Sequence, residues 1–361
     1  MQSTSPASKD RTVVFSCGND SYTVRDLIDA AFFRGELSAI WAKMARLLAA
    51  YTQAAELGRE IDATALDEAS EEFRYEHDLI TAEETERWLE ARGLTLEEFS
   101  DFFARHYWDS ALKGEAAVAE EIDYLAAPTD LRELLTAELI LSGELNEMAT
   151  RLGWRVAASC EGSGGEVEPK SILEERQAFF ERAGIAQAQL GDLLGQLQRD
   201  HAWFEEMLRM EALFRSKVDT LPTPDARTRE FRSLRLPFTR FAVEIIELES
   251  HDAAREALLC VRNDGLSMAE VANEGRYPYR CAEVLLEDVP EDLQQKFISV
   301  RLGSLLDPIQ RGDGFQLWRV VEKHDPNPED PAVRERIDQR IIDRHFSELC
   351  AKHIRWRFVA E

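Results

Sequence analysis

The feature that most constrains this chain is a change of hydrophobic period near residue 221. From Thr23 to about Asp219 apolar residues recur at three- and four-residue spacing, as Trp41, Met44, Leu47, Leu48 and Tyr51 do, which is the period of amphipathic helices. Leu221-Pro-Thr-Pro-Asp225 then interrupts the last long helix. Beyond it lies a strand-like run, Phe238–Leu248, followed by a helical run over 252–263 and a second strand-like run at Gly314–Val321. Two periods held in separate blocks predict a mainly α protein with a small α+β domain.

Local signals place several element ends. Thr12–Cys17 is β-prone, Gly18-Asn-Asp20 is a turn signal, and Thr23 is an expected N-cap. Thr81-Ala-Glu-Glu84 and Thr95-Leu-Glu-Glu98 both read as capping boxes, with Gly93 as the helix stop between them. Asp330 followed by Pro331 marks a helix start, and Val333, Ile337, Ile341, Ile342, Phe346 and Leu349 give that helix an apolar face. The N-terminal helices are its expected partner. Cys160-Glu-Gly-Ser-Gly-Gly-Glu166 is a loop by composition. Glu86–Leu94 is echoed by Gln177–Ile185, and Arg34-Gly-Glu-Leu37 by Ser142-Gly-Glu-Leu145. Duplication and convergent helix–turn–helix chemistry both account for these echoes.

Composition excludes several functions. A net charge of −26 disfavours binding to nucleic acid phosphates. No apolar run is long enough for a membrane span, and the first residues lack the apolar core of a secretory signal. Five widely spaced cysteines without a Cys-x-x-Cys pair point to thiols in a reducing cytoplasm and to no zinc site. The seven histidines form no metal-ligand pattern, and no phosphate loop, nucleophile elbow or dinucleotide fingerprint occurs, so neither metal nor cofactor is expected. Residues 61–100 hold thirteen Asp/Glu against three Arg. Against that background Arg227, Arg229, Arg232, Arg235 and Arg240 fall within fourteen residues, offset only by Glu230. Such a cluster suits an acidic peptide or the acidic helices of its own chain.

The order of segments from Leu236 to Glu322 resembles the parvulin type of peptidyl-prolyl isomerase domain. The whole arrangement resembles the SurA/PrsA class of chaperones, in which a helical module, a parvulin domain and a C-terminal helix surround a polypeptide-binding cleft. Val14–Leu27 resembles the strand–turn–helix start of that module, and Arg74–Glu84 with Trp88–Phe99 its helix pair. The parvulin stretch is the most specific part. The resemblance implies a tail over 1–11, helical modules over 12–125 and 126–220, a linker over 221–235, a parvulin-like domain over 236–325, and a C-terminal helix over 331–358 packing on the helical modules.

The same resemblance places Glu244 and Gln316 where parvulins usually carry histidine, and Val289, Leu293, Phe297 and Ile298 where apolar residues line the proline pocket. Cys281 does not match the family's usual cysteine position. Burying an ionised Glu244 is costly unless it is paired, with Arg240 or Arg319 as candidates. Gln316 suits either a hydrogen-bonded core amide or a ligand contact. The expected function is polypeptide binding by a chaperone or escort whose isomerase chemistry has lapsed, for a peptide client that undergoes maturation. A working isomerase with altered residues, a peptide-modifying enzyme and a structural subunit are the competing readings.

Overall fold

The computed structural model describes residues 9–112, 125, 127–161, 167–312 and 314–357. The expected loop at 160–166 lies largely outside them, as do residues 1–8 of the expected tail. Lys9–Arg11, also assigned to that tail, form a 3-10 turn, and the Lys9 ammonium pairs with Glu98. Among the described residues no helix is long and apolar enough to cross a membrane. The chain divides into two compact units, 1–219 with 344–361 and 220–343.

The first unit begins with β1 (Val13–Cys17) and β2 (Asp20–Thr23), followed by α1 (Val24–Phe33), α2 (Leu37–Glu56), α3 (Ala63–Glu76), α4 (Ala82–Ala91) and α5 (Leu96–Ala111). It continues through α6 (Thr129–Leu141), α7 (Glu144–Glu161), α8 (Pro169–Ala183), α9 (Leu190–Leu197) and α10 (His201–Thr220). Thr23, Thr81 and Thr95 each close a capping box, as their spacing predicts. Phe33, Phe179 and Phe204 join α1, α8 and α10, with ring centroids 4.9, 5.8 and 5.0 Å apart. Each ring is at most 2% exposed, and burial of this kind stabilises by about 1.5–3 kcal/mol per side chain. That exceeds the roughly 1 kcal/mol typical of a cap, so packing sets the helix positions and caps set the helix ends.

Both internal echoes form the same local turn. Gly93 and Gly184 follow α4 and α8 at φ +67° and +64°, and Gly35 and Gly143 take +75° and +77° ahead of α2 and α7. These left-handed positions favour glycine, so helix-stop chemistry accounts for the matching glycines.

The second unit contains α11 (Pro224–Ser233), β3 (Arg240–Leu248), α12 (His251–Asn263), α13 (Met268–Gly275), β4 (Tyr279–Leu285), α14 (Glu291–Ser299), β5 (Ile309–Arg311) and β6 (Gly314–His324). Its antiparallel sheet has the order β4-β3-β6-β5. One face packs Phe241, Val243, Ile245, Trp318 and Val320 against Leu293 and Phe297 of α14. The other packs Ile246, Leu248 and Leu317 against α12 and α13. The stretch 221–235, expected as a linker, is ordered by α11. The segment ends α10 at Thr220 as expected and also starts α11, with Thr223 as its cap and Pro224 in its first turn.

The last elements are α15 (Pro331–His353) and β7 (Ile354–Trp356). The first half of α15 gives Val333, Ile337 and Ile341 to a core with Phe238 and Leu285 in the second unit. Its second half belongs to the first unit, where Phe346 stacks on Trp154 and packs against Phe214. The expectation that the apolar face packs on the helical modules therefore describes only that second half. The stripe is long enough to serve both cores. β7 completes a sheet of order β2-β1-β7, with Trp356 partly exposed between the exposed Arg355 and Arg357. Gly153 on α7 permits the approach of Trp356, whose Cη2 would lie 2.9 Å from an added Cβ.

Candidate functional site

The six residues expected to bind peptide fall into separate environments. Glu244 lies between Val243 and Ile245 on β3. Because strand side chains alternate, it points to the α12/α13 face. There it accepts a hydrogen bond from the Tyr279 hydroxyl at 2.8 Å and pairs with Arg319 at 3.4 Å. The Cys281 thiol lies 3.2 Å from the same hydroxyl. That contact, with burial and the Glu244 carboxylate, holds the Tyr279 phenol above its usual titration range. Of the two candidate partners Arg319 is the one used. Arg240 instead pairs with Glu283 at 2.7 Å and with Asp330.

Gln316 lies between Phe315 and Leu317, both on the α12/α13 face, so it points to the opposite side of the sheet from Glu244. Its carbonyl accepts from Trp318 Nε1 at 3.0 Å, and its amide donates to Glu247 at 3.5 Å, the residue opposite it in the β3–β6 register. The two residues expected to bind one peptide therefore lie on opposite faces of the sheet, and the carboxylate beside Gln316 is Glu247. Counting by two from Val243 and Ile245 reaches Glu247, and that signal was present in the sequence.

Val289, Leu293 and Phe297 are 2%, 1% and 0% exposed, with Ile298 packed partly buried against them. Phe297 meets Phe241 and Trp318 edge-on at 5.3 and 5.7 Å. These side chains fill a core instead of lining an open proline pocket. Among the described residues no group of three His, Cys, Asp or Glu is placed to hold a metal ion.

A large opening built from the described residues lies within the first unit. It is a cleft of about 1040 Å³ between α1, α2, α8 and α9, at the upper end of the range for small-molecule sites and roomy enough for several side chains. Phe32 and Ile185 present partly exposed apolar surface to it, backed by the buried Phe33, Leu37, Trp41, Phe179 and Leu193. Ser38, Arg182, Gln189, Asp192 and Gln196 supply polar groups. Arg182 reaches across from α8 to donate to the Phe33 carbonyl at 3.3 Å, closing the end of α1. Gly35 leaves room for it, since an added Cβ would lie 3.2 Å from the Arg182 side chain. Ala42, exposed on α2, lines the mouth. Ile185 also lines a neighbouring depression of about 370 Å³ with Leu173 and Phe180, so apolar surface continues along α8. The helical period marked Trp41 as a packing residue, and no sequence signal joined it to residues 179–196.

No protein-family model matches the chain, and no curated protein matches it. Among solved structures the chain is similar to the peptidylprolyl isomerase PrsA of Bacillus anthracis, at 13% identity and a TM-score of 0.34, covering 57% of this chain and 96% of that one. It is similar to PrsA of Bacillus cereus at 12% identity and a TM-score of 0.37, covering 63% and 89%. A structure of SurA-like chaperones from Campylobacter jejuni is similar at 11% identity and a TM-score of 0.18, covering 60% and 87%.

Proposed function

We propose that this protein is a polypeptide-binding chaperone or escort that takes unfolded segments into the cleft of its helical unit, and that its parvulin-like unit contributes no isomerase chemistry. The observation that carries this reading is the cleft itself. Its apolar surface and sparse polar rim suit side chains of an extended polypeptide, whose backbone amides the rim groups can satisfy. The adjoining surface along α8 gives such a chain a path past Ile185. The client fits a peptide that must be held while it is matured. A reducing compartment agrees with the buried free thiols of Cys17 and Cys350, both pushed up to about 12, chiefly by burial.

Ala42→Arg tests the cleft. The position is exposed, so the fold tolerates the change while a long cation enters an apolar mouth. The variant is expected to lose at least about tenfold in affinity for an unfolded polypeptide, or about 1.4 kcal/mol. The readout is suppression of light scattering by a reductively unfolded reporter protein, with circular dichroism as a check on folding. Unchanged suppression by a folded variant would remove the cleft from the mechanism.

Catalysis of prolyl rotation needs a twisted imide held in an apolar pocket with polar groups at its rim. Here the apolar residues of that stretch are consumed in the core, and Gln316 is engaged by Trp318 and Glu247. A prolyl-peptide assay is expected to show no acceleration over the uncatalysed rate. Acceleration that disappears in Gln316→Ala would overturn this part of the reading.

A further inference from the structure

The arginine run at 227–240 is divided by the structure into neutralised and free members. Arg227 forms a two-pronged pair with Asp338 of α15, at 2.6 and 2.7 Å, and Arg240 pairs with Glu283 and Asp330. Arg229, Arg232 and Arg235 are exposed, and none makes an ion pair among the described residues. Leu236, beside them, is 50% exposed.

Arg229 and Arg232 are three residues apart on α11, where like charges repel by about 0.2–0.5 kcal/mol. The C-terminal end of the helix dipole favours Arg232, but it offers nothing to Arg229 in the middle of the helix. In a chain with 69 acidic and 43 basic residues, this is a local reversal of the prevailing charge.

We propose that Arg229, Arg232, Arg235 and Leu236 form a docking surface for an acidic polypeptide segment that carries an apolar residue beside its carboxylates. Guanidinium groups pair carboxylates through two parallel hydrogen bonds, and unneutralised arginines are free to do so. Arg229 and Arg232 rise about 4.5 Å along the helix, a spacing suited to neighbouring carboxylates of an acidic run. The net charge of −26 repels a long polyanion such as nucleic acid, while a short acidic segment needs only the local field. The surface belongs to the second unit and the cleft to the first, so the two sites are separable by mutation.

Fluorescence anisotropy with the full chain and a labelled peptide of alternating Glu and Leu tests the surface. A peptide with Lys in place of Glu and a single-stranded DNA of equal length serve as comparisons. The acidic peptide is expected to bind best and to weaken as salt is raised. The triple variant Arg229→Glu, Arg232→Glu, Arg235→Glu is expected to lose at least tenfold in affinity. The corresponding triple lysine variant, which keeps the charge but not the two-pronged pairing, is expected to bind between wild type and the charge-reversed variant. Absence of acidic-peptide binding, equal affinity in the folded charge-reversed variant, or tighter binding of DNA than of peptide would overturn the proposal.

Discussion

Glu138→Ala is expected to destabilise the helical unit by about 3–5 kcal/mol, the cost of breaking a buried ion pair by removing one partner. Glu138 on α6 is 4% exposed and holds two groups from α5: Arg105 Nη2 at 3.0 Å and His106 Nε2 at 2.6 Å. Arg105 is itself 3% exposed, so deleting the carboxylate leaves a guanidinium buried without its counter-charge. Against a total stability of about 5–15 kcal/mol, such a loss is roughly a fifth or more of what holds a domain folded. The double variant Arg105→Met with Glu138→Leu removes both charges and is expected to recover most of the loss, because a buried pair contributes little net energy over an apolar replacement. Urea unfolding midpoints compare the three proteins. A single variant within 1 kcal/mol of wild type, or a double variant no better than the single, would show that the pair is not buried as described.

Arg199→Met is expected to cost a similar amount, about 3–5 kcal/mol at neutral pH, and its effect depends on pH. Arg199 donates to Asp29 at 2.6 Å and to Asp26 at 2.7 Å. Asp29 is 2% exposed, and burial raises its carboxyl pKa despite the lowering effect of Arg199. A carboxyl whose pKa is higher folded than unfolded contributes stability that is fully present below the unfolded value and is lost as pH rises through the folded one. Removing Arg199 raises the folded value further, so the deficit is largest near neutrality and shrinks as Asp29 becomes protonated. Denaturation series at neutral pH and near about pH 4 check the sign. A deficit that grows on acidification would show that Arg199 does not lower the Asp29 pKa in the folded protein.

Much of the fold was legible in the sequence because the signals are short-ranged. Capping boxes at Thr81 and Thr95 and the start at Asp330–Pro331 involve residues within about four positions, and the structure forms them where the spacing places them. The division into a helical unit and a small α+β unit followed from a change of period that no tertiary contact is needed to see. Glu247 was legible too, by strand alternation, whereas the resemblance to the family pattern points to Glu244.

Tertiary structure alone decided the rest. The cleft depends on Arg182 meeting the Phe33 carbonyl across 149 positions of sequence. The sheet of the first unit depends on β7 pairing with β1 from the other end of the described chain. The fate of each arginine between 227 and 240 depends on which carboxylates the fold of α15 and β4 brings within reach. Sequence by itself determined element type, element ends and the separation of helical and mixed units, because these are set by a residue's immediate neighbours. Packing determined which faces meet, because apolar burial is non-directional and identifies a buried stripe without naming its partner.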